Sequence, residues 1–222
     1  EVWVTDVDGT NQRQFTSSPN NSWSPEWTPD GNLSFLSLRK EHNKFTQIYT
    51  IPTDGGEAVP LTSHSGSVSS YSWSPNGRWI AYISKDKISI EEQERKTEGY
   101  DMIVMGKEQL YNRLWIFDLE TKSHETIFRQ DLNVSNFVWS PDSKFIIFQA
   151  SEKVNIDKEY LESSIYLVKA PSGNPRKIID TPGKLGSMSI SPNNEQLAFL
   201  GAVSKNDPLA QTIFVLNIKN GK

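Results

Sequence analysis

Few side chains in this sequence combine the types and spacing that catalysis or metal binding requires. The three histidines, His42, His64 and His124, are far apart, and none has the spacing of a metal-binding pair such as H-E-x-x-H. We therefore expect each to be a loop or turn residue on a separate repeat. The sequence contains no cysteine, so it offers neither a thiol nucleophile nor a disulfide.

Two Gly-Ser segments and one acidic segment are the remaining candidates. A serine nucleophile of the G-x-S-x-G type needs a second glycine and a strand-to-helix turn. Gly66-Ser67-Val68-Ser69 and Gly186-Ser187-Met188-Ser189 lack the second glycine, and we interpret both as connecting loops. The segment 6–11 begins like a calcium loop, but Ser17 stands where the closing Glu belongs. The sequence thus predicts no catalytic, cofactor-binding or metal-binding residue.

The composition narrows the class of protein. A net charge of −4 provides no basic surface of the kind that nucleic-acid binding needs. No apolar run approaches the ~18 residues of a membrane-spanning helix, so we expect no membrane partner. The absence of cysteine is typical of the cytoplasm, which we predict as the location. The sequence begins at Glu1 inside a strand pattern and without an initiator methionine, so an export signal upstream, and a periplasmic or secreted location, stay open.

The elements that would position any site come from a repeat. One proline-containing turn occurs four times, and its prolines lie 46, 66 and 51 residues apart. Proline presets φ for a turn, and Asp, Asn or Gly tolerates the bend that follows it. A four-stranded propeller blade takes roughly 40–50 residues, so two of the intervals fit one blade and the middle one indicates an insertion. The four copies are Trp27-Thr28-Pro29-Asp30-Gly31, Trp73-Ser74-Pro75-Asn76-Gly77, Trp139-Ser140-Pro141-Asp142-Ser143 and Ile190-Ser191-Pro192-Asn193-Asn194.

A second strand pattern recurs between these turns. Each copy is a short aromatic and aliphatic run, followed by a turn and, in most cases, a short outer strand. The copies are Gln47–Ile51, Arg113–Phe117, Ser164–Val168 and Thr212–Leu216, with a fifth at Glu1–Thr5. This predicts four antiparallel strands per repeat in meander order. Four unrelated hairpins in a β-sandwich are the alternative, although a sandwich does not need the same turn at regular intervals.

We therefore predict an all-β protein, a β-propeller fragment of about four to five four-stranded antiparallel blades in an open or incomplete ring. Trp27, Trp73 and Trp139 should be buried between neighbouring blades, and Ser143 and Asn194 stand where glycine would fit the turn more easily. The predicted blades are residues 1–16 (a half blade), 23–62, 69–128, 136–180 and 187–222 (an incomplete blade).

The long interval comes from an insertion at residues 85–112. Its first part is highly charged, with Glu91, Glu92 and Glu94, and its second part is mostly apolar. A long loop in a compact domain is usually functional or mobile. A solvated excursion is one interpretation, and an arm that contacts a partner domain or borders a substrate cavity is the other. A shorter excursion, Lys153–Glu162, occupies the same place in the next blade.

The repeats resemble the N-terminal propeller of the prolyl oligopeptidase family of serine peptidases, and above all its acylaminoacyl-peptidase and dipeptidyl-peptidase branches. The resemblance rests on residues 48–62, on Gly66-Ser67-Val68 and on residues 73–82, and it extends over nearly the whole chain. The insertion, which runs into Tyr111-Asn112-Arg113-Leu114-Trp115, is similar to an excursion of that branch. TolB-like propellers share the repeat motif.

This resemblance implies a non-catalytic domain that gates and positions short peptide substrates for a C-terminal α/β-hydrolase domain of the same polypeptide. The triad of that family belongs to the hydrolase domain, so none of its catalytic residues can be assigned here. No residue matches the propeller glutamates that hold the substrate amine in the dipeptidyl-peptidase branch. The alternatives are a TolB-like periplasmic scaffold that binds proteins, and a propeller enzyme with a site in its central channel. Self-association through open blade edges also stays open.

Overall fold

A computed structural model describes residues 1–39, 44–87, 94–95, 97–99, 110–207, 209 and 211–221. Their elements include seventeen strands and a short helix, α1 (Ile156–Leu161). The strands are β1 (Trp3–Val4), β2 (Arg13–Gln14), β3 (Ser22–Trp27), β4 (Leu33–Ser37), β5 (Gln47–Ile51), β6 (Val59–Pro60), β7 (Val68–Trp73), β8 (Trp79–Lys85), β9 (Asn112–Asp118), β10 (His124–Thr126), β11 (Asn133–Trp139), β12 (Phe145–Ser151), β13 (Ser164–Lys169), β14 (Arg176–Asp180), β15 (Leu185–Ile190), β16 (Gln196–Gly201) and β17 (Thr212–Asn217).

Each sheet is built from strands that follow one another along the chain. The orders are β3-β4-β5-β6, β10-β9-β8-β7, β11-β12-β13-β14, β15-β16-β17 and β1-β2. Sequential pairing is what a meander of hairpins produces, because each proline-containing turn returns the chain beside the strand it has just left. The predicted fold class, an all-β propeller fragment of four-stranded antiparallel sheets, is confirmed.

The repeated turn is held by a hydroxyl group as well as by its proline. Ser74 Oγ donates to Asn76 Oδ1 over 2.8 Å and accepts from the backbone N–H of Trp79 over 2.9 Å. The hydroxyl thus ties the turn to the first residue of the next strand. The same pattern recurs with Ser140 and Asp142 and with Ser191 and Asn193. Thr28 likewise donates to Asp30, but it accepts from the N–H of Asn32, the residue just before β4.

All four turns need a residue with positive φ, as the sequence indicated. Gly31 and Gly77 have φ of 87° and 73°, and Ser143 and Asn194 have φ of 60° and 62°. A side chain in this left-handed region costs roughly 1–2 kcal/mol, because its Cβ approaches the following carbonyl oxygen.

Replacement of Ser143 tests this strain. Ser143→Gly and Ser143→Ala both remove the hydroxyl, but only glycine relieves the strained φ. We expect the glycine variant to be more stable in urea unfolding by about 1 kcal/mol. Ser189, exposed on β15 and not among the residues with positive φ, should show the reverse order. Equal stability of the two Ser143 variants would contradict this account.

The described chain divides into two compact units, Glu1–Ser84 with Trp115–Glu125, and Lys85–Leu114 with Thr126–Lys222. In the first unit, one face of the β3–β6 sheet packs Leu36 and Ile48 against a cluster that contains Ile80, Tyr82 and Phe117. Its other face packs Leu33, Phe35, Tyr49 and Ile51 against Val2 and the partly buried Phe15, which flank β1 and β2. Alternate residues of each strand therefore enter different cores.

The prediction that Trp27 is buried is wrong. Trp139 is buried at 8% exposure and Trp73 is half-buried, but Trp27 is 57% exposed. Trp27 pairs with Leu33 and so lies on the face that β1 and β2 cover. Those two strands form a sheet of only two short strands, and they cover Leu33 and Phe35 without reaching as far as Trp27.

In the second unit, the β11–β14 sheet packs against the β15–β17 sheet. Ile147 and Ile165, both fully buried, meet Leu197 and Phe199 of β16 and Leu216 of β17. Both aliphatic and aromatic side chains form this core, because Phe145 and Ile147 alternate along β12 and Ile165 and Leu167 alternate along β13. The core is therefore a stack of sheet on sheet, as the repeat requires.

Most of the 85–112 insertion lies outside the described residues, including Glu91 and Glu92. Its base is described and is closed by the Asp86 N–H, which donates to the Tyr111 carbonyl over 2.8 Å. Arg113 binds Asp86 and Asp131 with Nη2–O distances of 3.0 and 2.7 Å.

The shorter excursion forms α1, a helix that the sequence analysis missed. Asn155 caps it by accepting from the N–H of Asp157, and Lys158 pairs with Glu162 one turn later. An asparagine followed by acidic residues is a known start signal for a helix, so the sequence did carry the information.

Candidate functional site

The first strands of the four larger sheets are β3, β7, β11 and β15. Glu26, on β3, is the one charged residue in these four strands. It is half-buried, and its Oε1 accepts from Ser72 Oγ over 3.1 Å and from the Trp73 N–H over 3.2 Å. Among the described residues nothing donates a hydrogen bond to its other oxygen, Oε2.

Burial raises the pKa of the Glu26 carboxyl, and the hydrogen bonds from Trp73 and Ser72 offset part of that increase. A cationic hydrogen-bond donor stabilises the charged form of a half-buried carboxylate such as this one. Oε2, to which none of the described residues donates a hydrogen bond, is therefore suited to bind an ammonium group. The sequence analysis did not single out Glu26, since one Glu in a strand carries no motif.

A cleft of about 470 Å³ lies beside α1 in the second unit, lined by Asn136, Gln149, Glu159, Tyr160 and Ser187, among others. We call it the α1 cleft. Its lining is mixed, because amide, hydroxyl and carboxylate groups stand beside the Tyr160 ring and the Leu185 side chain as lining groups. Glu159 and Tyr160 belong to the shorter excursion, so that excursion borders a cavity.

The histidines are not scattered as the sequence analysis expected. His64 and His124 lie with their ring centroids 5.7 Å apart, and His64 meets the Trp115 ring edge-on at 4.5 Å. Tyr82 Oη lies 2.9 Å from His124 Nδ1. We call His64, Tyr82, Trp115, Phe117 and His124 the histidine cluster. Sheet pairing brings them together over 60 residues of chain, which spacing in the sequence cannot show.

The histidine cluster is a packed group of side chains whose protonation states are fixed near neutral pH. Burial, with the nearby His64, lowers the pKa of His124 to about 4, so its ring is neutral at pH 7. Burial also raises the pKa of Tyr82, which keeps the phenol protonated and makes it the donor to Nδ1. His42 lies outside the described residues.

The prediction that both Gly-Ser segments are connecting loops is wrong for the second one. Gly66 and Ser67 precede β7, to which Val68 and Ser69 belong, whereas Gly186-Ser187-Met188-Ser189 lies wholly within β15. A buried glutamine holds each of them, because Gln47 Nε2 donates to the carbonyl of Gly66 over 3.3 Å and Gln149 Nε2 to that of Gly186 over 2.5 Å. Ser67 Oγ accepts from the Thr46 N–H, and Ser187 lines the α1 cleft.

The acidic segment closes on itself as a turn. Asp8 Oδ1 accepts from the N–H and the hydroxyl of Thr10, and Asp6 Oδ2 accepts from the Asn11 amide. Within the described ranges, no group of three or more His, Cys, Asp or Glu side chains could hold a metal ion. No helix of the described residues is long and apolar enough to cross a membrane.

Sequence comparison finds two peptidases among the curated relatives. The chain is 26% identical over 165 residues to the uncharacterized peptidase YuxL of Bacillus subtilis, and the match covers 68% of this chain and 25% of that protein. It is 25% identical over 203 residues to dipeptidyl-peptidase 5 of Porphyromonas gingivalis, covering 88% of this chain and 25% of the relative. The chain therefore spans about a quarter of the length of these relatives. No protein-family model matches it.

Comparison with solved structures finds the same fold in several classes of protein, among them TolB and an acylaminoacyl peptidase. TolB from Acinetobacter baumannii superposes with a TM-score of 0.63 at 18% identity, over 99% of this chain and 47% of that one. The acylaminoacyl peptidase of Pyrococcus horikoshii gives 0.60 at 14% identity, over 96% and 32%. The resemblance to the propeller of prolyl oligopeptidase family peptidases, with TolB-like repeats, is thus confirmed.

Proposed function

We propose that this chain is the non-catalytic propeller domain of a serine peptidase, and that it gates and positions short peptides for an α/β-hydrolase domain of the same polypeptide. The observation that carries the proposal is that both curated relatives named above are peptidases, matched over 68% and 88% of this chain. The fold alone would not choose, because TolB shares it.

Glu26 gives the proposal a residue that touches substrate. In a propeller the first strand of each blade lines the central channel, where a short peptide would pass. The free Oε2 of Glu26 would accept a hydrogen bond from the N-terminal ammonium of the peptide. A charge-assisted bond of this kind is worth about 1.5–3 kcal/mol, which is enough to orient a short peptide.

Peptide binding to the 222-residue chain tests this role. We expect isothermal titration calorimetry to detect a short peptide with a free amine, and Glu26→Gln to weaken that binding about tenfold, which corresponds to about 1.4 kcal/mol. The N-acetylated form of the same peptide should bind wild type and variant alike. Glu57→Gln, on an exposed residue of the same unit, is the matched control and should change nothing.

Two results would overturn the proposal. Equal affinity of wild type for the free and the acetylated peptide would show that Glu26 does not bind the amine of the peptide. Turnover of dipeptide or acyl-amino-acid chromogenic substrates by the chain alone would show that it is catalytic.

A protein-binding scaffold of the TolB kind is the second candidate. The TolB superposition covers 99% of the chain, but at 18% identity it supports the fold only. The two peptidase relatives therefore favour the first function.

A further inference from the structure

The α1 cleft is bordered by two sheets and a helix, all of them in the second unit. Asn136 and Gln149 are directly paired across β11 and β12, so their side chains lie on the same face of that sheet. The polar and aromatic lining comes from β11, β12, β15 and α1, which contribute Asn136, Gln149, Ser187, Glu159 and Tyr160. These groups surround a space of about 470 Å³, which is ample for one amino-acid side chain.

Gln149 brings an unused hydrogen-bond acceptor to this cleft. The residue is only 4% exposed, and its Nε2 donates to the Gly186 carbonyl over 2.5 Å, which fixes the orientation of the amide. Among the described residues nothing donates to its Oε1, yet this atom is not one of the side-chain oxygens that are sealed from solvent. By contrast, Oε1 of the buried Gln47 accepts from the His64 N–H and from Thr62 Oγ1. Because a buried amide oxygen normally has a partner, Oε1 of Gln149 is placed to accept from a ligand in the cleft.

Glu159 adds a negative charge to the same space. The residue is half-buried on α1, and the ion pair of this helix joins Lys158 to Glu162 and leaves Glu159 out. Within the described part of the chain, the Glu159 carboxylate has neither a salt bridge nor a hydrogen bond from another group. A carboxylate that is partly removed from water is stabilised by a nearby cation. The cleft therefore favours a positively charged ligand.

Tyr160, the next residue on α1, provides an aromatic ring beside these acceptors. Its side chain is 55% exposed, so a ligand can reach the ring. Lys184 Nζ lies 5.4 Å from the centroid of this ring, which is a cation–π contact. The ring thus stabilises a positive charge in this structure, and the Lys184 ammonium competes with a cationic ligand for it.

An arginine side chain fits this combination of groups better than the other cations and stacking groups of biological ligands. Two unused acceptors next to an aromatic ring call for a ligand that is flat and rich in donors. A guanidinium group has five N–H donors and no acceptor, is always charged and stacks on aromatic faces. A lysine ammonium carries the charge but has no flat face to stack, and a sugar stacks but brings no charge to Glu159.

We propose that the α1 cleft binds the guanidinium group of an arginine side chain in a peptide. The guanidinium pairs with the Glu159 carboxylate, donates to Gln149 Oε1 and stacks on the Tyr160 ring. Glu26 belongs to the first unit and takes no part, so this inference does not depend on the proposed binding of the peptide amine.

Titration of the 222-residue chain with N-acetyl-arginine amide, followed by two-dimensional NMR, tests the proposal. Both ends of this ligand are blocked, so the side chain carries its only charge and no free amine is present. N-acetyl-citrulline amide has nearly the same shape, but a neutral urea group replaces the guanidinium. We expect the citrulline compound to bind about tenfold more weakly or less, because it cannot pair with the Glu159 carboxylate.

Variants of α1 and its surroundings assign the binding to the cleft. Glu159→Gln should weaken the binding of the arginine compound about tenfold. Asp157→Asn is the matched control, because Asp157 is exposed on the same helix and the variant loses the same charge outside the cleft. Tyr160→Leu should weaken binding several-fold, and Lys184→Gln should strengthen it several-fold by removing the competing ammonium. Circular dichroism establishes that each variant is folded.

Three results would each overturn the proposal. The first is equal affinity for the arginine and citrulline compounds, which would mean that the cleft does not select a cation. The second is an equal effect of Glu159→Gln and Asp157→Asn, which would attribute the binding to the general charge of the chain. The third is the absence of binding up to the solubility of the arginine compound. None of them bears on Glu26, whose role is tested with the free amine of a peptide.

Discussion

Replacement of Gln47 by alanine should lower the free energy of unfolding by about 3 kcal/mol. Gln47 is fully buried at the start of β5. Its Oε1 accepts from the His64 N–H at 2.8 Å and from Thr62 Oγ1 at 2.9 Å, and its Nε2 donates to the His64 carbonyl at 2.9 Å. Alanine removes all three of these hydrogen bonds, and the loss of a bond to a buried polar group costs about 1–3 kcal/mol.

Two further variants separate the lost hydrogen bonds from the lost volume. Gln47→Met keeps the length of the side chain but cannot replace the amide, so it should still cost about 2 kcal/mol or more in urea unfolding. Gln196→Ala, at an exposed position of β16, should cost less than about 0.5 kcal/mol. A methionine variant as stable as wild type would mean that Gln47 acts by packing alone.

The local parts of this fold could be predicted from the sequence, because short segments determine them. Pro75 followed by Asn76 and Gly77 specifies a turn, and the apolar run that begins at Trp79 specifies the strand after it. Ser74 was also visible in the repeat, but its hydroxyl bridge was not predicted, because composition does not reveal which atoms a hydroxyl contacts.

The features that were missed depend on pairings distant in sequence. Gln47 reaches His64 across a connecting loop, and His64 reaches His124 through a neighbouring sheet. A polar residue at the start of an aliphatic strand, as in Gln47–Ile51, is the signal that could have indicated a buried amide, since such a group needs hydrogen-bond partners.

Much the same holds for the candidate site. Glu26 is notable only once its position on a first strand and its contact with Trp73 are known. For Trp27 the sequence led to the opposite error, a residue predicted to be buried that is exposed. The repeat motif implied a full neighbouring sheet that would cover Trp27, but the neighbouring sheet consists of only β1 and β2. A motif predicts the position of a residue within its own sheet, and the adjacent sheet decides how deeply that residue is buried.

The histidine cluster should make stability depend on pH. His124 is neutral in the fold down to about pH 4, whereas the unfolded chain takes up a proton near the usual value of 6.5. The contribution of His124 to the free energy of unfolding is therefore constant above pH 6.5. It is lost as the pH falls from 6.5 to 4, because the unfolded state binds more protons than the folded state in that range. Allowing for partial exposure, we expect a loss of about 2 kcal/mol over that window.

Urea unfolding of wild type and His124→Gln at pH 7.0, 5.5 and 4.5 measures this contribution. Glutamine retains an acceptor for the Tyr82 hydroxyl but does not titrate, so the stability of the variant should fall less between pH 7.0 and 4.5. The difference between the two proteins isolates His124 from other groups, including Glu26, whose raised pKa acts in the opposite direction. Parallel pH profiles would show that the His124 ring accepts a proton in the fold as readily as in the unfolded chain. The cluster would then have to be open to water, contrary to the close packing of His64 and Trp115 around it.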